Sequence, residues 1–232
     1  MLHTVLIADS PEMSSKHQEA LEYCYSILDS GGQLKQVFFM HEATQTATHL
    51  QAQPWSKFAA QNQVELQTCI SSADNYSMTL QDYADGFLQG GFSVLADSIL
   101  SSDVIVQMSN ASELGVDRQS VTDKNKVLFV FESQPQEGSL AAEGIDLLLV
   151  LSAFDANIHI IFVGDGIKNL NNKDVNPRYV KRFKALPDFD VSNCYIVINS
   201  SEESYDNLSL SCDKMTQQQF TDLTQNTHTL FF

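Results

Sequence analysis

VELQTCISS, residues Val64–Ser72, is the stretch from which the fold of this chain is predicted. Apolar or β-branched residues alternate here with Glu65 and Gln67, a pattern typical of a β-strand. The predicted strand continues through Cys69 and the next residue. It then meets Ser71–Asn75, a polar turn rich in residue types that cap helix N-termini. We therefore expect the thiol of Cys69 to lie at the carboxyl end of a strand, close to the start of a helix.

Strands alternate with helical segments on both sides of this stretch, which predicts βαβ units and a mainly parallel sheet. Further strands are predicted over Thr4–Ala8, Leu34–Met40 and Val104–Met108, and helices over Ser14–Leu28, Phe58–Gln63, Leu80–Leu88 and Leu95–Ser101. The polar stretch Ser109–Asn125 has no hydrophobic period and is predicted to be a linker.

The same pattern starts again after the predicted linker. Strands are predicted over Val127–Phe131, Ile158–Val163, Cys194–Asn199, Leu208–Ser211 and Thr229–Phe232, and helices over Leu140–Phe154, Arg178–Ala185 and Thr216–Thr224. Because the order of elements broadly matches in the two halves, we infer an internal duplication and two α/β domains.

The chain is strongly acidic, with 13 Lys and Arg against 29 Asp and Glu and a net charge of −16. Such a surface repels the phosphate backbone of nucleic acids and suits a basic protein partner, although acidity also serves solubility alone. Basic residues concentrate on one predicted helix, at Arg178, Lys181, Arg182 and Lys184. We interpret them as a solvated helix face; the alternative is a docking patch for an acidic surface, including a second copy of this chain.

Membrane and export signals are not apparent in the sequence. The longest apolar run, Leu147–Leu151, is far shorter than the ~20 residues of a membrane span. Met1–Val5 leads directly into a strand, without a basic n-region or a cleavage site. We therefore expect a cytoplasmic protein without a membrane partner.

Common metal, nucleotide and hydrolase motifs are absent from the sequence. Its four cysteines are far apart and form no CxxC, and no HExxH occurs, so neither a disulfide framework nor a zinc site is predicted. Gly164-Asp165-Gly166 completes no phosphate loop, so an ordinary turn is favoured over a nucleotide site. The sequence also lacks a GxSxG motif, which would present a serine nucleophile, so a serine hydrolase is not supported. We predict no metal and no organic cofactor.

Cys69 differs from the other cysteines in its predicted setting. Ligands collect at the carboxyl ends of strands in open α/β sheets, and a helix N-terminus favours thiolate over thiol. The alternative is that Cys69 is a buried small hydrophobe, as most cysteines are. Cys24 is assigned to the apolar face of the first helix and Cys194 to the core or a strand edge, while Cys212 has no assigned role.

Several segments, taken in order, resemble one known family. In the first half they are Leu34–Phe39 (LKQVFF), Val64–Cys69 (VELQTC), Gly90–Phe92, Leu95–Asp97 and Asp103–Met108. In the second half they are Glu143–Leu148, Ile161–Gly166, Tyr179–Lys184 and Asn193–Val197. The first half resembles TusD and DsrE proteins, and the second resembles TusC and DsrF proteins of the same DsrE/DsrF-like family.

The resemblance implies two tandem DsrE-like three-layer α/β/α domains, each with a mainly parallel five-stranded sheet. The expected division is a TusD/DsrE-like domain over 1–109, a linker over 110–125 and a TusC/DsrF-like domain over 126–232. The active cysteine of the family falls on Cys69, whereas the matching strand exit of the second half, near Val197, has no thiol. Ser71 and Ser72, in the turn after Cys69, are expected to stabilise the anionic sulfur.

The function implied by the resemblance is a sulfurtransferase, or sulfur carrier, that relays persulfide sulfur to an acceptor protein. The destination is the 2-thiouridine of tRNA or, in the Dsr branch, sulfur oxidation. Expected partners are a TusB- or DsrH-like subunit and small TusA-like and TusE-like carriers, in a homo- or hetero-oligomer without direct tRNA binding. Two alternatives stay open: a non-catalytic assembly subunit, and a flavodoxin-like nucleotide binder, which the missing phosphate loop disfavours.

Overall fold

The computed structural model describes residues 1–108, 126–170, 176–198, 208 and 210–232. The chain forms two compact units, Met1–Gly115 and Val116–Phe232. The linker predicted over 110–125 lies outside the described residues, so the predicted domain boundaries stay a prediction.

The first unit is an all-parallel five-stranded sheet with its strands in the order β4-β3-β2-β1-β5. Its strands are β1 (Leu2–Ile7), β2 (Gln33–Phe39), β3 (Leu66–Cys69), β4 (Phe87–Gly90) and β5 (Val104–Met108). Its helices are α1 (Ser14–Asp29), α2 (Ala52–Asn62), α3 (Ile70–Asn75) and α4 (Phe92–Ser101), with 3₁₀ segments at His41–Thr48 and Leu80–Asp82.

The second unit repeats this architecture, with its strands in the order β10-β6-β7-β8-β9. They are β6 (Lys126–Phe131), β7 (Asn157–Phe162), β8 (Asn193–Val197), β9 (Asp213–Met215) and β10 (His228–Phe231). The helices are α5 (Leu140–Ser152), α6 (Pro177–Ala185) and α7 (Gln217–Gln225), with 3₁₀ segments at Gly164–Leu170 and Leu186–Phe189. Counted along the chain, both sheets have the order 4-3-2-1-5, which confirms the predicted fold class of two tandem α/β domains.

The two faces of the first sheet differ in character. One face packs against α1 and α2 in an apolar cluster that includes Cys24, Phe39, Trp55 and Phe58. Within it, the rings of Phe39 and Trp55 meet edge to face, with centroids 5.2 Å apart. We call the other side the α4 face, since Thr4 there has its hydroxyl 2.8 Å from that of Ser102, just after α4. The α4 face also buries polar side chains, namely Gln36, Gln67 and Gln107.

Most predicted elements of the first half are confirmed, but the helix predicted over Leu80–Leu88 is wrong. The structure has a 3₁₀ turn there, followed by the strand β4. Gly86 adopts φ +89°, which ends any local helix, and β4 instead pairs with β3. α2 also begins earlier than predicted, and its first turn contains Pro54. The missing N–H of proline breaks no hydrogen bond there, because N–H groups in the first turn have no partner within the helix.

In the second half, the strand predicted over Leu208–Ser211 is also wrong. The fourth strand of that sheet is β9, which begins at Asp213 and pairs with β8. The other strands and helices predicted after residue 126 are found within a few residues of their predicted bounds. Both wrong predictions concern regions with short strands. The position of a short strand depends on pairing with strands that are far away in sequence, and not on its own hydrophobic pattern.

Gly166 is required by close packing of the backbone. A Cβ atom at this position would lie 1.8 Å from the carbonyl oxygen of Phe131, at the end of β6. Gly164, two residues earlier, has φ +55°, and no atom of the described residues lies within 4 Å of its Cβ position. The Gly164–Gly166 segment begins a 3₁₀ turn after β7, which agrees with the predicted ordinary turn.

Gly166→Ala should therefore destabilise the second unit much more than Gly164→Ala. The first variant forces two backbone segments apart and should cost ~3 kcal/mol, the upper end of the usual cost of overpacking. The second should cost only the ~1–2 kcal/mol of a left-handed alanine. Equilibrium urea unfolding of both variants measures the difference, and equal losses would contradict the packing explanation.

A disulfide joins Cys194 of β8 to Cys212, so the expectation that the scattered cysteines form none is wrong. Their Cα atoms are 4.6 Å apart, although 18 residues separate them in sequence. The strand register explains this contact. Tyr195 pairs with Asp213, so the residues one position earlier, Cys194 and Cys212, lie side by side. Cys212, which had no assigned role, thus holds the start of the edge strand β9 to its neighbour.

Reduction of this disulfide should lower the free energy of unfolding of the second unit. Closing a loop of this size stabilises a protein by ~3 kcal/mol, mainly by restricting the unfolded chain. Urea unfolding with and without reductant should show this loss for the wild-type protein and no reductant effect for Cys212→Ser. A wild-type midpoint that does not respond to reductant would contradict the prediction.

Candidate functional site

Cys69 lies at the carboxyl edge of the first sheet. It is the last residue of β3 and the N-cap residue of α3. Because all five strands are parallel, the ends of β1, β2 and β4 lie along the same edge. The exits of these strands are at Asp9, His41 and Gly91. Edges of this kind are where α/β proteins bind ligands.

The Cys69 side chain is fully buried, with 0% of its surface exposed. It belongs to the α4 face, since Leu66 of the same strand points into the apolar cluster and side chains alternate along a strand. Burial of this degree is what the alternative interpretation, a small buried hydrophobe, expects. The case for a reactive thiol therefore depends on the position of Cys69 and on what surrounds it.

Cys24 provides a contrast within the same unit. It is buried in the apolar cluster on α1, and burial raises the pKa of its thiol to about 12. It is consequently protonated at neutral pH and inert, as expected for a core cysteine. Like Cys69, it takes no part in the disulfide.

The two predicted supporting serines have different settings. Ser72 is fully buried, and its Oγ accepts a hydrogen bond of 3.1 Å from the backbone N–H of His41. His41 begins the 3₁₀ segment after β2 with φ +52°, so Ser72 holds a turn of unusual backbone geometry against α3. Ser71 is exposed on the first turn of α3. The proposed roles of both in stabilising anionic sulfur stay predictions.

Gln67 and Gly90 were not singled out from the sequence. Gly90 is the register partner of Cys69 on β4. A Cβ atom on Gly90 would lie 2.6 Å from Oε1 of Gln67, so the amide of Gln67 occupies the space beside this glycine. Gln67 is two residues before Cys69 and shares its face. The signal available in the sequence was a polar residue, Gln67, within a predicted strand. The alternation of side chains along a strand predicts that such a residue faces solvent, so its burial was not predicted.

His17 also contributes to this edge. Its Nε2 lies 3.0 Å from the carbonyl oxygen of Asp9, at the exit of β1. Burial lowers the pKa of His17, although the Asp9 carbonyl and carboxylate oppose this shift. The ring is therefore mainly neutral at pH 7. A cleft of about 300 Å³ lies nearby and is lined partly by Glu12 and Glu42, which make it acidic.

The equivalent strand exit of the second unit carries valine. Phe39 of β2 pairs with Thr68, and Phe162 of β7 pairs with Ile196, so the two registers match. The next residue is Cys69 in the first unit and Val197 in the second, as expected from the sequence. The partner of Val197 on the neighbouring strand is Met215, where the first unit has Gly90.

The basic helix α6 is partly neutralised by its own unit. Arg182 makes an ion pair with Asp146 and lies over the Tyr179 ring, 5.9 Å from its centroid. Burial raises the pKa of Asp146, and the nearby arginines oppose this shift. Arg178, Lys181 and Lys184 are exposed, which fits the predicted solvated face.

The described part of the chain shows neither a metal-binding cluster nor a membrane-spanning helix. Within it, no group of three or more His, Cys, Asp or Glu side chains could hold a metal ion. None of the described helices has the length and apolar character needed to cross a membrane.

Comparison with known proteins identifies the second half. Residues 125–227 match the model of the DsrE/DsrF-like family. Relatives with TusC names are among the matches. The protein TusC of Buchnera aphidicola subsp. Baizongia pistaciae is 39% identical over 83 residues, which are 34% of this chain and 70% of the relative. The TusC homolog of Aliivibrio fischeri is 35% identical over 81 residues, 33% of this chain and 69% of the relative. The protein TusC of Klebsiella pneumoniae subsp. pneumoniae is 34% identical over 83 residues, which are 34% of this chain and 70% of the relative.

These matches concern the TusC-like resemblance, and the TusD-like resemblance of the first half stays a prediction. The shared strand order nevertheless gives the first unit the same architecture as the matched unit. On the identity and coverage of these relatives, the chain belongs to the DsrE/DsrF-like family.

Proposed function

We propose that this protein is a sulfurtransferase that carries sulfur as a persulfide on Cys69 and passes it to an acceptor protein. The observation that supports this most directly is the position of Cys69, at the strand exit where the second unit has Val197. Family membership and the TusC names of the relatives supply the chemical context. The proposed destination is the 2-thiouridine of tRNA, with a sulfur-oxidation carrier of the DsrEF type as the alternative.

The proposed chemistry consists of two thiol exchanges. The Cys69 thiolate attacks the terminal sulfur of a donor persulfide, the donor S–S bond breaks, and the donor leaves as a thiolate. Cys69 then carries the group S–SH. An acceptor thiolate attacks its terminal sulfur and releases the Cys69 thiolate. No net oxidation occurs in either step, so no metal or organic cofactor is required.

Access to Cys69 requires movement of the side chains around it, because none of its surface is exposed. Ile70, the next residue, is 40% exposed and marks where the site meets the surface. We infer that this edge opens transiently in the isolated protein, which lets small reagents reach Cys69. A docking partner would favour the open state and so accelerate both exchanges.

The proposed partners are a TusB- or DsrH-like subunit and small TusA-like and TusE-like carriers, in a homo- or hetero-oligomer. The acidic cleft lined by Glu12 and Glu42, with the net charge of −16, favours partners with a basic docking surface. The proposed location is the cytoplasm. Disulfides there are usually transient, so the Cys194–Cys212 pair is expected to alternate between dithiol and disulfide.

A second candidate function is a non-catalytic assembly subunit, and the burial of Cys69 favours it. In that case both units would serve only to form interfaces. Alkylation near neutral pH separates the two functions: the relay requires Cys69 to react faster than Cys24, whereas a scaffold role predicts equally slow reactions.

Incubation with a persulfide donor should add one sulfur atom to the Cys69 peptide, as measured by mass spectrometry. Cys69→Ser should abolish both loading and transfer while leaving the fold intact, since the change is nearly isosteric. Cys24→Ser is the matched control for a buried thiol, and Cys194→Ser tests the second unit. Both should transfer sulfur at close to the wild-type rate, and loss of transfer in folded Cys194→Ser would indicate a relay with two sites.

The isolated chain should not bind tRNA tightly. Nucleic-acid affinity depends on Lys and Arg that release counterions from phosphates, and here 29 acidic residues oppose 13 basic ones. α6 presents three exposed basic side chains, too few to overcome this charge. Electrophoretic mobility shifts at physiological ionic strength measure the binding, and a tight, salt-sensitive complex would contradict this prediction.

A further inference from the structure

Gln67 is a buried polar side chain whose carbonyl oxygen has no hydrogen-bond partner among the described residues. Only 7% of the residue is exposed, and Oε1 itself is shielded from solvent. An amide oxygen in this position loses its hydrogen bonds to water without replacement. A buried oxygen without a partner therefore indicates that a ligand supplies the missing hydrogen-bond donor.

The orientation of this amide is fixed from its other end. Nε2 of Gln67 donates to Oε2 of Glu65, at 3.3 Å, which identifies Oε1 as the atom that points away. Oε1 lies over Gly90, where a Cβ atom would come within 2.6 Å of it. Gly90 pairs with Cys69, and Gln67 and Cys69 share one face of β3. The unpartnered oxygen therefore lies beside the strand position that carries the thiol.

The missing partner must be a hydrogen-bond donor, because a carbonyl oxygen can only accept. A persulfide supplies one when its terminal sulfur is protonated. This neutral form, S–SH, is also the form that can be attacked: a deprotonated terminal sulfur carries negative charge and repels an incoming thiolate. A hydrogen bond to the neutral form disfavours ionisation.

We propose that Oε1 of Gln67 accepts a hydrogen bond from the terminal S–H of a persulfide on Cys69, and so keeps that sulfur open to attack. The inference rests on the proposed relay function. In the step that it assists, the acceptor thiolate forms a bond to the terminal sulfur and the S–S bond to Cys69 breaks. Cys69 leaves as a thiolate, and the proton stays on the transferred sulfur. Gln67 then has a role in transfer rather than in loading.

Gln67→Met tests this role, because methionine has similar length and shape but a much weaker acceptor. Gln36→Met is the matched control. Gln36 is also buried on the α4 face, and its Nε2 has no hydrogen-bond partner within the described part of the chain, but it lies on β2 and away from the end of the strand. Gly90→Ala is a second variant, since its added Cβ atom displaces Oε1 although the glutamine itself is unchanged.

Each protein is loaded with a small-molecule persulfide, its mass is measured, and transfer to excess 2-mercaptoethanol is followed from pH 5 to 9. Loading should be equal in all variants. The rate divided by the concentration of the 2-mercaptoethanol thiolate should fall at high pH as the persulfide ionises. In Gln67→Met and Gly90→Ala this fall should move down by ~1 pH unit, with the thiolate-corrected rate at pH 7.5 about tenfold lower. Gln36→Met should match the wild type.

The outcomes separate this inference from the function on which it rests. If wild-type Cys69 gains no sulfur, the relay function and the role of Gln67 both fail. If Cys69 loads normally but the pH profiles of Gln67→Met and Gly90→Ala coincide with the wild type, only the role of Gln67 fails. A downward shift shared by Gln36→Met would also overturn it, because the effect would then follow from burial of any glutamine.

Discussion

Both units depend on one constraint: every strand in each sheet is parallel to its neighbours. Parallel strands need crossover connections, and these place helices over the sheet so that both faces are buried. The same constraint brings the carboxyl ends of all strands to one edge. Cys69 reaches that edge because β3 ends there, and the turn that follows leads directly into α3. The candidate site is thus a consequence of the topology.

Burial on both faces also explains the polar residues inside the first unit. Its apolar face is filled by aromatic and aliphatic side chains, including Phe39 of β2 and Trp55 and Phe58 of α2. α4, a helix of 10 residues, lies on the opposite face, where Ser102 just after it meets Thr4 of β1. That face buries three glutamines and the thiol of Cys69. A polar interior is costly unless its groups are paired, so unpaired atoms there indicate where a ligand is expected.

The two units share one topology but differ in the chemistry of the equivalent edge. Where the first has Cys69 beside Gly90, the second has Val197 beside Met215, so it has no thiol there and a larger side chain stands in place of the glycine. The cysteines of the second unit instead lie at the opposite end of β8, where they tie an edge strand to its neighbour. The first unit thus retains a nucleophile at the edge, while the second has apolar side chains there.

The sequence by itself determined the fold class, because alternating strand and helix patterns are local and span most of the chain. It also placed Cys69 at a strand exit and Val197 at the equivalent exit. Only the tertiary structure decided that β4 begins at Phe87 and β9 at Asp213, since short strands are defined by their neighbours and not by their own pattern. It alone joined Cys194 to Cys212, because contact between them depends on strand register. The burial of Gln67 likewise escaped the sequence, since alternation places a polar residue in solvent unless the other face of the sheet is also covered.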